Sequence, residues 1–493
     1  MINPTLPPEK MSIRIINLRT GLSPYLLAGL LTLSPLCAIK ATELPVIANS
    51  SATISLEQEY QLGRTWARLL RGRAPEYSDP LVVNYLEGLL WQLAANSQLQ
   101  DHRLDLIVLD NPTLNAFAVP GGVVGINSGL LLGAKDEQEL ASVIAHELAH
   151  LSQRHYAQQL EESRRNTPLI LAGILASIVL ATADTQAGMA GISSSMAAGQ
   201  QAGLNFSRRN EQEADRIGML NLVNSGFDPF AMPRMFSRIQ RSSRFLGQKP
   251  PEFLLTHPVT ESRIADAQNR ASQLPPPAYK PQRYDFQLLK KRIEVFYASD
   301  QQQLIKSYRE SAADDALSSY GLAMALIKSG QYIQAQTTLE NLPAKLRQHL
   351  YIRLTSAELA LASGNVKQAI QQLNGLNDVY PDSYPVSQLY AKALAADNQF
   401  KKAASVLTRL SQQQPNNSYI WYELSEIRGQ AGDTLGVHEA RTEYFLLTGN
   451  TTKALRQIEF ALREKNLSHS DIARLEERQR EAESIRDEIK NAF

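Results

Sequence analysis

Gly330, Gly364, Asn398 and Gly432 follow one another at intervals of 34 residues, and each keeps the same company. Seven residues before them stand Ala323, Ala357, Ala391 and Ser425; five after them stand Ala335, Ala369, Ala403 and Val437. Tyr332 and Phe400 fill an aromatic position between, and Pro381 and Pro415 close the second and third units. Small side chains at fixed offsets let two helices of a unit pack closely, and Gly or Asn permits the tight turn that joins them. Units of this kind bury their apolar faces only by stacking, so the region 285–493 is predicted to be a curved stack of helix pairs with a concave, peptide-binding inner face. The helices before Ser311 and the stretch Gly449 to Ala454 read as degenerate or capping units.

The chain of 493 residues is too long for one ordinary domain. A hydrophobic content of 43% and 20% charged residues describe a chain with a real core, and a net charge of +1 speaks against nucleic acid as a partner. Residues 1–41 read as a secretory signal peptide: Arg14 and Arg19 precede the apolar run Tyr25 to Leu33, and Ala38 and Ala41 offer cleavage points. The first ten residues lack that character, so Met11 is an alternative start. The lone cysteine, Cys37, falls inside the segment; Leu36, where a lipoprotein signal wants a small residue, disfavours its lipidation. The mature chain would be exported, soluble and free of disulfides. A proline-rich linker at 275–284 divides a first domain, 42–274, from the repeats at 285–493.

Within 42–274, Leu56 to Leu70 and Leu81 to Leu93 carry helical spacing, and Leu104 to Leu109 reads as a half-buried strand. The turn-rich Asn115 to Gly122 leads into a second strand, Val123 to Asn127. Asp136 with Glu139 resembles a capping box and opens a helix that runs to about Leu160. That helix carries His146-Glu147-Leu148-Ala149-His150. Positions i and i+4 share a face, so the two histidines can hold one Zn²⁺ between them, and Glu147 can reach the water that attacks the substrate. Zinc needs a third protein ligand. His155, at i+5 from His150, cannot close a tetrahedron. Glu211 is the stronger candidate, with Asp215 one helical turn on and suited to orient His146 or His150. Glu213 points away, towards solvent or Arg208, Arg209 or Arg216.

His-Glu-Leu-Ala-His, the stretch Ser207 to Asp215 and Asn115 to Gly122 together resemble the CAAX-prenyl-endopeptidase/HtpX-like metallopeptidases over roughly Leu56 to Arg263. The 34-residue units resemble the tetratricopeptide (TPR) repeat. The fold class implied is mainly α: an α+β zincin-like metallopeptidase domain with a small sheet, followed by an α-helical TPR solenoid. The resemblance implies that His146, His150 and Glu211 bind one Zn²⁺ and that Glu147 is the catalytic base; Asp215, read from its spacing, is placed with Glu147 in the catalytic set. It implies that an edge strand beginning Gly121, Gly122, Val123, Val124 takes substrate by strand addition. It places His257 beside the cleft, where it is a regulatory fourth zinc ligand, a transition-state donor or plain loop structure. Arg263 reads as a structural ion-pair partner.

With a signal peptide and repeats added, the resemblance implies a periplasmic endopeptidase of outer-membrane protein quality control. Its substrates would be misassembled outer-membrane β-barrel proteins. Its TPR domain would meet the β-barrel assembly machinery and the lipopolysaccharide-export barrel. The alternative is a non-proteolytic TPR chaperone or adaptor. A membrane-embedded protease is disfavoured, because no mature segment reaches about twenty apolar residues. The apolar run Leu169 to Ala183 is a buried helix, a lid or a peripheral membrane contact. Gln186 to Gly203, rich in small residues, suggests mobility near the active site.

Overall fold

The computed structural model describes residues 54–162, 208–245, 252–275, 284–312 and 315–492. The signal peptide at 1–41, residues 276–283 of the linker, the apolar run 169–183 and the stretch 186–203 lie outside the described residues.

The first helix, α1 (Leu56–Arg73), opens on a full capping box: Ser55 Oγ accepts from the Gln58 N–H, and Gln58 Oε1 accepts from the Ser55 N–H. Asp79 caps α2 (Pro80–Ala94), whose first-turn proline gives up no needed donor. Three strands follow, β1 (Asp105–Leu109), β2 (Ala116–Val119) and β3 (Val123–Asn127), in the order β1-β3-β2. β3 runs parallel to β1 and antiparallel to β2.

This topology corrects two expectations. Residues 116–119, read as part of a turn-rich link, form a strand of their own. Gly125 makes the pairing possible, since a Cβ there would lie 2.0 Å from the Phe117 ring of β2. The strand that contains Val123 and Val124 is central, with both its backbone edges bonded, so it cannot take an added strand. Gly121 and Gly122, at φ 78° and 77°, form the left-handed turn into it. They pack against the body of the protein, with a Cβ on Gly121 falling 2.3 Å from the Glu59 carbonyl of α1.

After the short α3 (Gly129–Gly133) comes α4 (Glu137–Ser152), capped by Asp136 accepting from the Glu139 N–H. The reciprocal half of the capping box is absent: the Glu139 carboxylate accepts instead from the Lys135 N–H and from Arg238. Nor does this helix reach Leu160. It stops at Ser152, Arg154 turns left-handed at φ 55°, and α5 (His155–Glu162) starts in a new direction. The Arg154 guanidinium, bonded to Glu59 and to the Ile54 carbonyl, holds the break. Then follow α6 (Arg208–Asn224), α7 (Ala231–Phe245), α8 (Glu252–Thr256) and α9 (Glu261–Ala271).

The rest is a stack of helical hairpins: Asp285–Tyr297 with Gln301–Ser311, Ala316–Lys328 with Tyr332–Glu340, Leu350–Ala362 with Val366–Val379, Tyr384–Ala396 with Phe400–Gln413, Ser418–Gln430 with Thr434–Leu447, and Thr451–Leu462 with His469–Ala492. The periodic Gly330, Gly364, Asn398 and Gly432 all take left-handed φ, between 59° and 82°. Each ends its helix in a Schellman turn, in which the following N–H returns to a carbonyl five residues back, as Gln331 does to Leu326. Ala323, Ala357, Ala391 and Ser425 are buried as the close packing requires, and so are Ala335, Ala369 and Ala403. Val437 is half-buried; Gly436 and Ala440 take the tight contact in that unit.

The proline-rich linker divides the chain by composition but not by packing, and the described residues form one compact unit. Leu81 and Leu86 of α2 share a core with Leu288, Leu289 and Tyr320 of the stack. Arg292 of the first hairpin bonds Asp79 at 2.8 Å and Glu358 of the third hairpin at 2.9 Å. Far along the stack, a Cβ on Gly72 of α1 would lie 2.2 Å from the Thr448 carbonyl, and Gly449 faces the Arg68 carbonyl in return. Among the described residues no helix is long and apolar enough to cross a membrane.

Candidate metal centre

His146 and His150 leave one face of α4 with their Nε2 atoms 3.1 Å apart. Glu211 arrives from the first turn of α6, which crosses α4 closely because Gly218 occupies the crossing. A Cβ there would stand 3.0 Å from the Ala145 carbonyl and 3.1 Å from the His146 backbone. The Glu211 carboxylate lies 3.6 Å from His146 Nε2 and 3.5 Å from His150 Nε2. His257, just past α8, brings Nδ1 to 2.9 Å from Glu211 Oε1. All four side chains are buried, and one ligand atom from each falls within 4.8 Å of the others. Two nitrogens on a tetrahedral zinc stand about 3.3 Å apart. The donor set and its spacing fit such an ion.

Glu147 sits beside this cluster. Its Oε1 is buried without a hydrogen-bond partner among the described residues, 3.6 Å from His257 Nε2. Burial pushes its pKa up, opposed by His257 and His146, while the Ala118 N–H of β2 also bonds its carboxylate. A carboxyl raised in this way takes up a proton more readily than an ordinary one, as a general base must. Glu211 behaves oppositely. Burial works upwards there too, but His257, His146 and His150 outweigh it and hold the group well below the usual carboxylate range. The histidines also diverge. Burial disfavours charge on His146, yet hydrogen bonds to Asp215 and Glu211 prevail and raise it to about 9. Burial wins at His150, helped by the neighbouring histidines against Glu211, and keeps that ring neutral and ready to donate its lone pair.

Behind the cluster, Asp215 Oδ1 lies 3.0 Å from His146 Nδ1. Arg263 grips the same carboxylate with two hydrogen bonds, at 2.8 Å and 2.7 Å, and reaches Glu211 Oε2 at 2.7 Å. Asp215 thus stands behind a histidine, and Arg263, read as a structural ion-pair partner, pairs with both Asp215 and Glu211. His155 was missed as a contributor. It stands outside the four-residue cluster, but its Nδ1 lies 3.0 Å from His150 Nδ1, with Glu213 3.5 Å behind. Each histidine of the pair is therefore backed at Nδ1. The only signal for His155 was the helix break, and that is set by tertiary contacts of Arg154. Glu213 also pairs with Arg216 at 3.7 Å. The structure brings together His146, Glu147, His150, Glu211, Asp215 and His257; Gly121 and Gly122 form a turn, and Val123 and Val124 lie in the central strand, with Val124 paired to Ala118.

Residues 80–271 match peptidase family M48, and residues 360–427 match the tetratricopeptide repeat. The chain is 34% identical to the Beta-barrel assembly-enhancing protease of Escherichia coli (strain K12), over 90% of this chain and 92% of that protein. The protein of the same name from Yersinia pestis is 35% identical, over 92% of this chain and 96% of its own length. The chain belongs to this family of β-barrel assembly-enhancing proteases. It unites an M48 metallopeptidase with TPR units and is an enzyme that acts on protein. The Mitochondrial metalloendopeptidase OMA1 of Schizosaccharomyces pombe is also similar, 32% identical over 38% of this chain and 55% of that one.

Proposed function

We propose that the chain is a periplasmic zinc endopeptidase that degrades misassembled outer-membrane β-barrel proteins and assists their assembly. The observation that carries this reading is the buried cluster of His146, His150, Glu211 and His257 with Glu147 beside it. His146, His150 and Glu211 hold the ion; Asp215 and His155 fix the two histidine rings. When bound, zinc supplies Lewis-acid polarisation at the scissile carbonyl and at the attacking water. Glu147 takes the proton from that water and returns it to the leaving amine.

Strand addition of substrate moves to β2. The Asn127 N–H bonds the Asn115 carbonyl, and the alternation of an antiparallel ladder then directs the backbone groups of Ala116 and Ala118 away from β3. The Ala118 N–H meets Glu147, so a peptide laid along this edge would present its carbonyl to the base and the metal. The signal peptide at 1–41 supports export, with 42–274 as the catalytic part, 275–284 as linker and 285–493 as the repeat part. Protein partners of the repeats would be the β-barrel assembly machinery and the lipopolysaccharide-export barrel.

Purified chain is expected to carry one zinc per polypeptide and to cut an unfolded β-barrel protein, with cutting lost on chelation and restored by zinc. Preparations that cut with no stoichiometric zinc would overturn the assignment. His257 acts as a latch on the ion in this reading. If the latched form holds roughly nine-tenths of the molecules, His257→Ala raises cleavage about tenfold. A fall in cleavage would make His257 a transition-state donor instead.

A further inference from the structure

The sheet has a second edge, on the far side of β3 from the strand that meets Glu147. β1 bonds β3 through alternate residues: the Asp105 N–H donates to the Gly122 carbonyl, and the Leu109 carbonyl accepts from the Ser128 N–H. Alternation turns the backbone groups of Leu106 and Val108 outwards. The Val108 carbonyl is taken by the Tyr77 N–H. Leu106 has no such backbone partner among the described residues.

This edge is one wall of a cavity of about 520 Å³, whose far wall is built by Gln413, Tyr419, Tyr422 and Tyr444 of the repeat stack. Such a volume falls within the about 300–1,000 Å³ of ligand-binding pockets. Tyr422 remains 46% exposed, its ring 5.5 Å from that of Tyr444. Glu87 faces the cavity from α2, accepts a long hydrogen bond from Gln414 at 3.4 Å, and pairs with no cation among the described residues.

We propose that this cavity docks an extended polypeptide segment bearing a basic side chain, added as a strand alongside β1 at Leu106 and bound without being cut. Three features choose that occupant. An outward N–H and C=O on a sheet edge recognise extended backbone of any sequence, which a helix does not offer. An acid without a cation is completed by Lys or Arg. Tyrosines accept apolar and aromatic side chains while their hydroxyls stay wet. β3 and β2 lie between this edge and Glu147, so a segment held here is out of reach of the base. The docking site needs no metal and stands or falls apart from the proteolytic reading.

The test uses the full chain with Glu147→Gln and a fluorescent, photo-cross-linkable octapeptide that alternates Tyr and Thr around a central Lys. Anisotropy should show saturable binding, and cross-links should map to residues 104–108 and 413–422. Glu87→Lys, Tyr422→Ala, and N-methylation of the peptide backbone should each weaken binding about tenfold or more. Glu87 and Tyr422 are both partly exposed, so these variants keep the fold. The proposal is overturned if binding does not saturate by about 1 mM, or if cross-links fall only on Ala116–Val119. It is equally overturned if Glu87→Lys and N-methylation leave the affinity within about twofold.

Discussion

Glu147→Gln lowers cleavage of a fluorogenic peptide by about 10³-fold, inside the roughly 10²–10⁴-fold range for a general base, while the metal content stays at that of the parent. The separation follows from where the carboxylate sits. It lies outside the set of atoms that can share an ion, and its link to the sheet is the Ala118 N–H, which the Gln carbonyl can still satisfy. Gln has the same shape but cannot carry the proton from water to amine. Burial already penalises charge at this position, so the neutral side chain should leave the melting temperature unchanged or higher. Turnover and metal analysis on one preparation decide the matter. Loss of metal with activity would mean that Glu147 holds the site together and moves no proton.

Glu211→Ala has the wider effect. It deletes the carboxylate that lies within 3.6 Å of both histidines of α4, and it removes one of the two acids against which buried Arg263 is held. Replacing partners that merely orient a ligand costs about 10–100-fold in metal affinity, and loss of Glu211 should exceed that. Cleavage should fall to background. Asp215→Asn is the comparison: it leaves the candidate ligands in place but weakens the support of His146 and loses one of the two hydrogen bonds from Arg263, so its affinity should fall within that narrower range. Competition with a calibrated chelator ranks the two. If Glu211→Ala retained stoichiometric zinc and cut normally, the carboxylate would not be a ligand.

Much of this site was legible because its rules are local. His146 and His150 share a face by helical spacing alone, Asp215 falls one turn from Glu211, and every periodic Gly or Asn of the stack takes the left-handed turn its spacing demanded. What sequence reasoning missed is decided across the molecule. Nothing in Ala116 to Val119 says that β1 will pair with the far side of β3, so the place of the open edge could not be read from a Gly-Gly turn. The end of α4 depends on Arg154 finding Glu59, nearly a hundred residues earlier, and with that end comes the position of His155. Pro275 to Pro281 marks a linker by composition, which says nothing of how the parts on either side pack. Yet Leu288 shares a core with Leu81 and Arg292 pairs with Asp79 across that division, and further along Gly72 and Gly449, which carry no side chain to announce it, make a close backbone approach.

Those two glycines bear on how the superhelix behaves under load. A solenoid anchored at one end is a spring whose radius adapts to what it grips. This one is riveted to the catalytic half through Arg292 near its start and through Thr448 and Gly449 near its finish. It acts as a closed bracket of fixed curvature. A partner has to fit the curvature it meets, because a stack pinned at both ends cannot open to suit it.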